Sequence, residues 1–140
     1  MKSVLLDANV WISFLLGPRP GSAIDQVARI VLAGDFELVA PQELLDELRL
    51  VYANSTYLRE RIPGSDFDVF MSEFLAGARM LLSTLGGKTY TRDPKDDYLI
   101  EYALMHDIDF LVTGDQDLLA VKPVGRLQIV TPRQFLELLQ

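Results

Sequence analysis

The sequence contains no cysteine and only one histidine, His106, among its 140 residues. Without thiols the chain has no disulfide framework and no thiolate ligands for a structural zinc ion. A single histidine is too few for a histidine-rich metal site, and it cannot form a catalytic triad by itself. These absences exclude sites built on thiols or on clustered histidines.

Positive charge is also scarce, with 13 Lys and Arg against 20 Asp and Glu, for a formal net charge of −7. Proteins that bind nucleic acid usually carry clustered positive charge, so this balance argues on its face against such a partner. The same surplus of acids is expected where several carboxylates converge on cations, and composition does not separate the two cases. No apolar run approaches the roughly 18 residues of a membrane span. We therefore expect a soluble, cytoplasmic protein with no membrane partner.

Short apolar strands alternate with helical patterns along the chain, which is long enough for one domain over residues 1–140. The strand segments are "VLL", "FELVA", "DFLVTGD", which ends in a turn, and "LQIV". Helical spacing of apolar residues predicts helices that begin near Val10, Ser22, Pro41, Thr56, Asp66, Lys95 and Thr131. The helix from Asp66 is expected to run to Leu82, and "TGDQD" is expected to be a turn. The alternation predicts an α/β fold, a three-layer α/β/α sandwich around a parallel sheet.

Acidic residues fall where the predicted strands end and where the predicted helices begin. They are Asp7 after the first strand, Glu43 and Glu47 after the second, Asp96 and Asp97 before the "FLVT" strand, and Asp115 and Asp117 after it. In open α/β sheets, ligand sites lie beyond the carboxyl ends of the strands. Four separate segments are therefore expected to bring acids to one edge of the sheet.

Each of these acids has an ordinary structural explanation when it is taken alone. Asp7 could cap a helix, the acids before "FLVT" could complement a helix dipole, and the glutamates could face solvent. Their convergence is harder to explain in this way, because neighbouring carboxylates raise one another's pKa unless cations neutralise them. Mg²⁺ or Mn²⁺ suits an all-carboxylate site. One or two such ions would suit phosphodiester hydrolysis.

The segments "VLLDANVWIS", "LVAPQELLDELRLV", "DPKDDYLIEYAL" and "DFLVTGDQDLL" resemble the PIN-domain ribonucleases, especially the VapC-like toxins of bacterial toxin–antitoxin systems. Together they span nearly the whole chain in the family's order. The resemblance implies a parallel sheet of about five strands between helices. It implies a metal-dependent endoribonuclease that acts on RNA, forms a homodimer and is blocked by an antitoxin protein.

The same resemblance assigns roles to individual residues. It makes Asp7, Glu47, Asp96 and Asp115 the metal-binding acids, with Asn9, Thr113, Asp117, Glu43 and Asp97 in supporting positions. Both Glu43 and Glu47 precede a leucine, and counting back from "DELRLV" favours Glu47 while Glu43 stays in reserve. Alignment of Ala103 with the family's small helix residue favours Asp96 over Asp97.

Candidate RNA contacts are scattered, and an ordinary solvated surface explains them equally well. They are Arg59, Arg61, Lys88, Arg92 and Lys95. The aromatic stretch "FDVFMSEFL" is a candidate for dimer or antitoxin contact, although a core helix is the favoured interpretation.

Two alternatives to the nuclease stay open. A phosphatase of the haloacid-dehalogenase type would phosphorylate Asp7, but it requires an acid where Asn9 stands and a lysine better spaced than Lys95. A non-catalytic PIN fold that binds RNA or protein is the other alternative, and the retention of every acidic position argues against it.

Overall fold

The computed structural model describes residues 1–81, 97–121 and 125–140, without the side chain of Asp97. Its strands are β1 (Ser3–Leu6), β2 (Glu37–Pro41), β3 (Arg79–Leu81), β4 (Phe110–Val112) and β5 (Gln128–Val130). Its helices are α1 (Ala8–Leu15), α2 (Ala23–Leu32), α3 (Gln42–Asn54), α4 (Thr56–Arg61), α5 (Gly64–Gly77), α6 (Asp97–Met105), α7 (Gln116–Leu119) and α8 (Pro132–Leu138). The predictions on Lys88, Arg92, Lys95 and Asp96 lie outside the described residues. No helix in the described ranges is long and apolar enough to cross a membrane.

The five strands form one parallel sheet in the order β3-β2-β1-β4-β5. The chain moves in one direction along the sheet from β1 to β3 and in the other from β4 to β5. Because crossover connections are right-handed, this reversal places helices on opposite faces of the sheet. All four residues of the central strand β1 are buried, as expected for a strand covered on both faces. The predicted three-layer α/β/α fold is confirmed.

Aromatic side chains fill the core on two sides of the central strands. Trp11 of α1 lies against Phe70 and Phe74 of α5, with ring centroids 5.4 and 5.0 Å apart. A second cluster joins Phe36 and Phe135, whose centroids are 5.2 Å apart, and includes Phe110. The stretch "FDVFMSEFL" is thus a core helix, as favoured from the sequence.

Helix boundaries follow the local signals closely in several places. Ser22 caps α2, Thr131 caps α8 in a reciprocal capping box with Gln134, and α4 begins at Thr56 as predicted. Pro41 differs slightly from expectation, since it ends β2 and precedes α3 instead of standing in the first turn.

Two elements correct the sequence-based assignment. The helix predicted to extend to Leu82 ends at Gly77, and Arg79–Leu81 form the edge strand β3. The "TGDQD" segment predicted as a turn leads into the short helix α7, which begins at its fourth residue, Gln116. Both elements have three or four residues, too few for a hydrophobic period to distinguish strand from helix.

Candidate active site

Asp7 stands at the carboxyl end of the central strand. Its backbone N–H donates to the carbonyl of Val112 at 3.0 Å, which extends the pairing of β1 with β4 beyond the last strand residue. The flanking residues Leu6 and Ala8 are fully buried, and Asp7 itself is only 3% exposed. The strand therefore delivers a carboxylate to a nearly solvent-free position at the edge of the sheet.

The carboxylate of Asp7 makes two hydrogen bonds of unequal length. Its Oδ2 accepts from the Thr113 hydroxyl at 2.7 Å, and its Oδ1 accepts from the backbone N–H of Asn9 at 3.4 Å. The longer contact caps α1 but lies beyond the usual distance for an N–H to oxygen bond. Asn9 is exposed, so its contribution to Asp7 is a backbone one. Asp7 thus caps α1, but its shorter hydrogen bond is to Thr113, which follows β4.

Thr113 connects Asp7 to Asp115. Its side chain is fully buried, and its Oγ1 donates to Asp7 while it accepts from the backbone N–H of Asp115 at 3.0 Å. Asp115 Oδ1 in turn accepts from the N–H of Asp117 at 2.8 Å and so caps α7. One hydroxyl therefore fixes the position of two acidic residues on neighbouring strand ends.

The electrostatic environment of Asp7 disfavours its charged form. Burial is the largest cause, and it raises the pKa of the carboxyl above its usual value. The hydrogen bonds from Thr113 and Asn9 oppose this rise, while the negative charge of Asp115 adds to it. Among the described residues, no positively charged group lowers the pKa of Asp7. This end of the sheet therefore carries acidic groups that a bound cation would stabilise.

The two strands that carry this site are also the pair at which the order of strands along the chain reverses its direction across the sheet. β1 and β4 are neighbours, and the chain progresses away from them on both sides. Open α/β sheets bind ligands in the crevice that forms at such a switch point, outside the carboxyl ends of the strands. Asp7, Thr113 and Asp115 lie where this topology places a ligand site.

The two candidate glutamates of α3 are held by tyrosines of α6. The single proton of the Tyr102 hydroxyl is shared between the two oxygens of Glu43, which lie 2.8 and 3.0 Å from the phenol oxygen, and the Tyr98 hydroxyl donates to Oε1 of Glu47 at 2.7 Å. Both glutamates are half-buried. The sequence analysis missed the tyrosines. The available signal was that the two glutamates and the two tyrosines are each four residues apart. α6 begins at Asp97, next to Tyr98.

Comparison with protein-family models gives a match to the PIN domain over residues 3–117. The chain belongs to the PIN-domain family. The matched range includes Asp7, Thr113, Asp115 and both glutamates of α3. PIN domains are generally nucleases, and they usually use divalent metals. The family match therefore supports a nuclease-type function and favours it over the phosphatase alternative. A comparison with curated proteins gave no match.

The donor set of this PIN domain fits a magnesium-type ion only in part. In the ranges 1–81, 97–121 and 125–140, no group of three or more Asp, Glu, His or Cys side chains could hold a metal ion. The structure brings Asp7 and Asp115 together, and Asp96 and the Asp97 side chain lie outside its description. Mg²⁺ is commonly bound through one or two carboxylates, with water and substrate phosphates as its other ligands. Asp7 and Asp115 would therefore supply the carboxylate part of such a ligand set, and the remaining ligands would be water and phosphate.

The candidate RNA contacts that the structure describes lie on α4. The Arg61 guanidinium lies over the Tyr57 ring at 3.5 Å from its centroid, and its Nη1 donates to the Tyr57 carbonyl at 3.1 Å. Arg59 is exposed, and its Nε donates to the Ser55 carbonyl at 3.4 Å. Both arginines are thus surface residues whose observed contacts lie within their own helical segment, and these contacts do not distinguish RNA binding from ordinary solvation.

Proposed function

We propose that this PIN domain is an endoribonuclease that hydrolyses RNA phosphodiester bonds with Mg²⁺ or Mn²⁺, as one or two ions. One observation carries the proposal: a buried Asp7, hydrogen-bonded through Thr113 to Asp115, at the switch point of the sheet. When bound, a divalent cation supplies Lewis-acid chemistry that polarises a phosphoryl oxygen and makes water a better nucleophile.

Each residue of the site has a distinct proposed role. Asp7 and Asp115 bind the cation, and Thr113 holds Oδ2 of Asp7 so that the two carboxylates keep one spacing. The family resemblance adds Glu47 and Asp96 as further acidic ligands. Glu43, Asp97 and Asp117 are supporting residues, and Asn9 holds the other oxygen of Asp7 through its N–H.

A cation at this edge also accounts for RNA binding by an acidic chain. With a net charge of −7, the protein has no general electrostatic attraction for polyphosphate. A divalent ion held by Asp7 and Asp115 would cancel their two negative charges and remove the local repulsion of the scissile phosphate. We therefore expect weak RNA affinity that depends on the metal.

The proposal is tested by RNA cleavage with purified protein in Mn²⁺ or Mg²⁺ and, in parallel, in EDTA. Asp115→Asn should lower the rate at least about a hundredfold, because it removes a charged ligand and such losses exceed those of supporting residues. Asp46→Asn is a matched control, since Asp46 is an exposed acid of α3 bonded to Gln42. Undiminished cleavage in EDTA, or full activity of Asp115→Asn, would contradict the proposal.

The family resemblance also supports a role as the toxin of a toxin–antitoxin pair, with a homodimer as the active form. Expression in a bacterium should then arrest growth, and Asp115→Asn should relieve the arrest at equal protein level. Sedimentation of the purified protein tests the dimer. Unimpaired growth with an active ribonuclease would contradict the toxin role alone.

A further inference from the structure

We propose that Thr113 sets the cation preference of the site: its hydroxyl restricts Asp7 to one metal-binding oxygen, and the site thereby selects Mg²⁺ over Ca²⁺. The inference rests on the proposed function and deepens it. It is carried by the hydrogen bonds that occupy one oxygen of Asp7 and one oxygen of Asp115.

Asp7 has one firmly held and one loosely held carboxylate oxygen. The Thr113 hydroxyl donates to Oδ2 at 2.7 Å, and both side chains are buried, that of Thr113 completely. The contact from the backbone N–H of Asn9 to Oδ1 is 3.4 Å long and therefore weak. A cation on Oδ2 would face the donated proton and compete with a buried, charge-assisted hydrogen bond. Oδ1 is therefore the oxygen that Asp7 offers to a cation.

Asp115 is held through one oxygen in the same way. Its Oδ1 accepts from the backbone N–H of Asp117 at 2.8 Å, a contact fixed by the first turn of α7. In the part of the chain that the structure describes, its Oδ2 takes part in no hydrogen bond or ion pair. The Thr113 hydroxyl also accepts from the backbone N–H of Asp115, so one buried group orients both acids. Each carboxylate is thus arranged to bind a cation through a single oxygen.

Binding through single oxygens distinguishes Mg²⁺ from Ca²⁺. Mg²⁺ requires a near-octahedral shell, keeps several waters, and is usually bound through one or two carboxylates. Ca²⁺ takes about six to eight oxygen ligands, and bidentate carboxylates help to fill its larger shell. Two carboxylates that offer one oxygen each supply what Mg²⁺ needs, and they deny Ca²⁺ a bidentate ligand.

Replacing Thr113 by Val removes the hydroxyl and keeps the shape of the side chain. The backbone N–H of residue 113 still donates to the Val130 carbonyl, so the strand end stays in place. Oδ2 of Asp7 then becomes available beside Oδ1. The affinity for Mg²⁺ should fall about tenfold or more, as is typical when a hydrogen bond to a metal ligand is lost. The affinity for Ca²⁺ should not fall in proportion, because Asp7 can now bind through both oxygens.

Ser3→Ala is a matched control at the opposite end of β1. The Ser3 hydroxyl donates to Oδ2 of Asp109 at 3.2 Å and accepts from the backbone N–H of Asp109 at 3.1 Å. The substitution therefore also removes a hydroxyl that bonds a carboxylate and a backbone N–H. Ser3→Ala and Thr113→Val should both unfold at lower temperature in EDTA, because each leaves an N–H without its acceptor. Only Thr113→Val should change the cation preference.

The experiment measures Mg²⁺ and Ca²⁺ affinities by calorimetric competition against Mn²⁺. The proteins compared are the wild type, Thr113→Val, Ser3→Ala and Thr113→Ser, which keeps the hydroxyl and should keep the preference for Mg²⁺. The ratio of Ca²⁺ to Mg²⁺ dissociation constants should fall about tenfold in Thr113→Val alone. Infrared difference spectra of the wild type with and without Mg²⁺ report the binding mode, because the two carboxylate stretches lie further apart in monodentate than in bidentate binding.

The outcomes separate the inference from the proposed function. Wild-type protein that binds Mn²⁺ and cuts RNA, yet binds Ca²⁺ as tightly as Mg²⁺, overturns the inference and leaves the function in place. An unchanged preference in Thr113→Val, or a preference lost in Thr113→Ser, also overturns it. Wild-type protein that binds none of the three cations and cuts no RNA overturns both. If Thr113→Val does not fold, the wild-type affinities and the infrared spectra still decide.

Discussion

Replacing Asp7 by Asn should abolish cleavage and, in the absence of metal, make the protein more stable. The pKa of Asp7 is raised first by burial, with a further contribution from the charge of Asp115, so the folded protein favours the neutral carboxyl. Wherever the carboxyl is charged, the native state carries that charge at a cost to its free energy of unfolding. A neutral side chain of the same shape removes that cost.

The expected gain is the difference between two opposing effects. The Thr113 bond weakens by about 1 kcal/mol when its acceptor loses its charge, and the 3.4 Å contact from Asn9 has little to lose. Relief of the buried charge must exceed these losses, because the net pKa shift is upward. We expect a net gain of about 1–2 kcal/mol, in the range of other stabilising substitutions. For a chain of this length, that gain corresponds to about 3–8 °C in Tm.

The pH dependence has a definite sign. Above the raised pKa, Asp7 is charged in both states and the gain from Asn is complete. Below the ordinary value of 3.8, it is neutral in both states, so the two proteins should converge in stability as the pH falls to that value. A carboxyl with a lowered pKa would give the opposite trend.

The assay is thermal unfolding in EDTA at pH 7 and in acid, with Asp46→Asn as the matched exposed control. Added Mn²⁺ at a hundred times its Kd should stabilise the wild type by about 2.7 kcal/mol and leave Asp7→Asn nearly unchanged. A less stable Asp7→Asn protein in EDTA at pH 7 would refute the reasoning, since the buried carboxylate would then be net stabilising.

Substitutions at three further positions test other parts of the structure. The pKa of Asp109 is lowered, first by the backbone N–H of Ser3 and also by Arg126, so Asp109→Asn should cost about 1–2 kcal/mol at pH 7. That cost should fade in urea titrations as the pH drops below 3.8, because the lowered pKa confers stability only where the carboxyl is charged. Asp107, just after α6, has a φ of +52°, a left-handed conformation that glycine adopts without strain. Asp107→Gly should therefore raise the free energy of unfolding by about 0.5–1 kcal/mol, whereas Asp107→Ala should give no gain. Thr131→Ala removes the cap of α8 and should lower the free energy of unfolding by about 1 kcal/mol. A variant as stable as the wild type would show that the capping box is dispensable.

Local sequence signals predicted most of the fold. The apolar strands and the helix starts near Ser22 and Thr131 follow from signals that act within a few residues, and the structure confirms each of them. β3 was missed because its three residues form an edge strand that continues the apolar spacing of α5. The glycine at position 77, where α5 ends, was the available signal for the boundary.

The residue types of the candidate site could be predicted from the sequence, but the hydrogen bonds that join them could not. Asp7 and Asp115 were expected at one edge from the positions of their strands, and the structure places them there with Thr113 between them. The roles of Glu47 and Asp96 stay predictions. The tyrosines Tyr98 and Tyr102 read as ordinary positions of an amphipathic helix, because hydrogen bonds between distant helices leave no local pattern.

The sequence by itself determined that strands and helices alternate and that acids follow the strands, because periodicity, capping and turn residues act over short distances. Only the tertiary structure decided which acids meet. Thr113 reaches Asp7 across 106 residues because β4 pairs directly with β1, and strand order is set by packing of the whole sheet. The same long-range packing sets α3 against α6 and so gives each glutamate its own tyrosine.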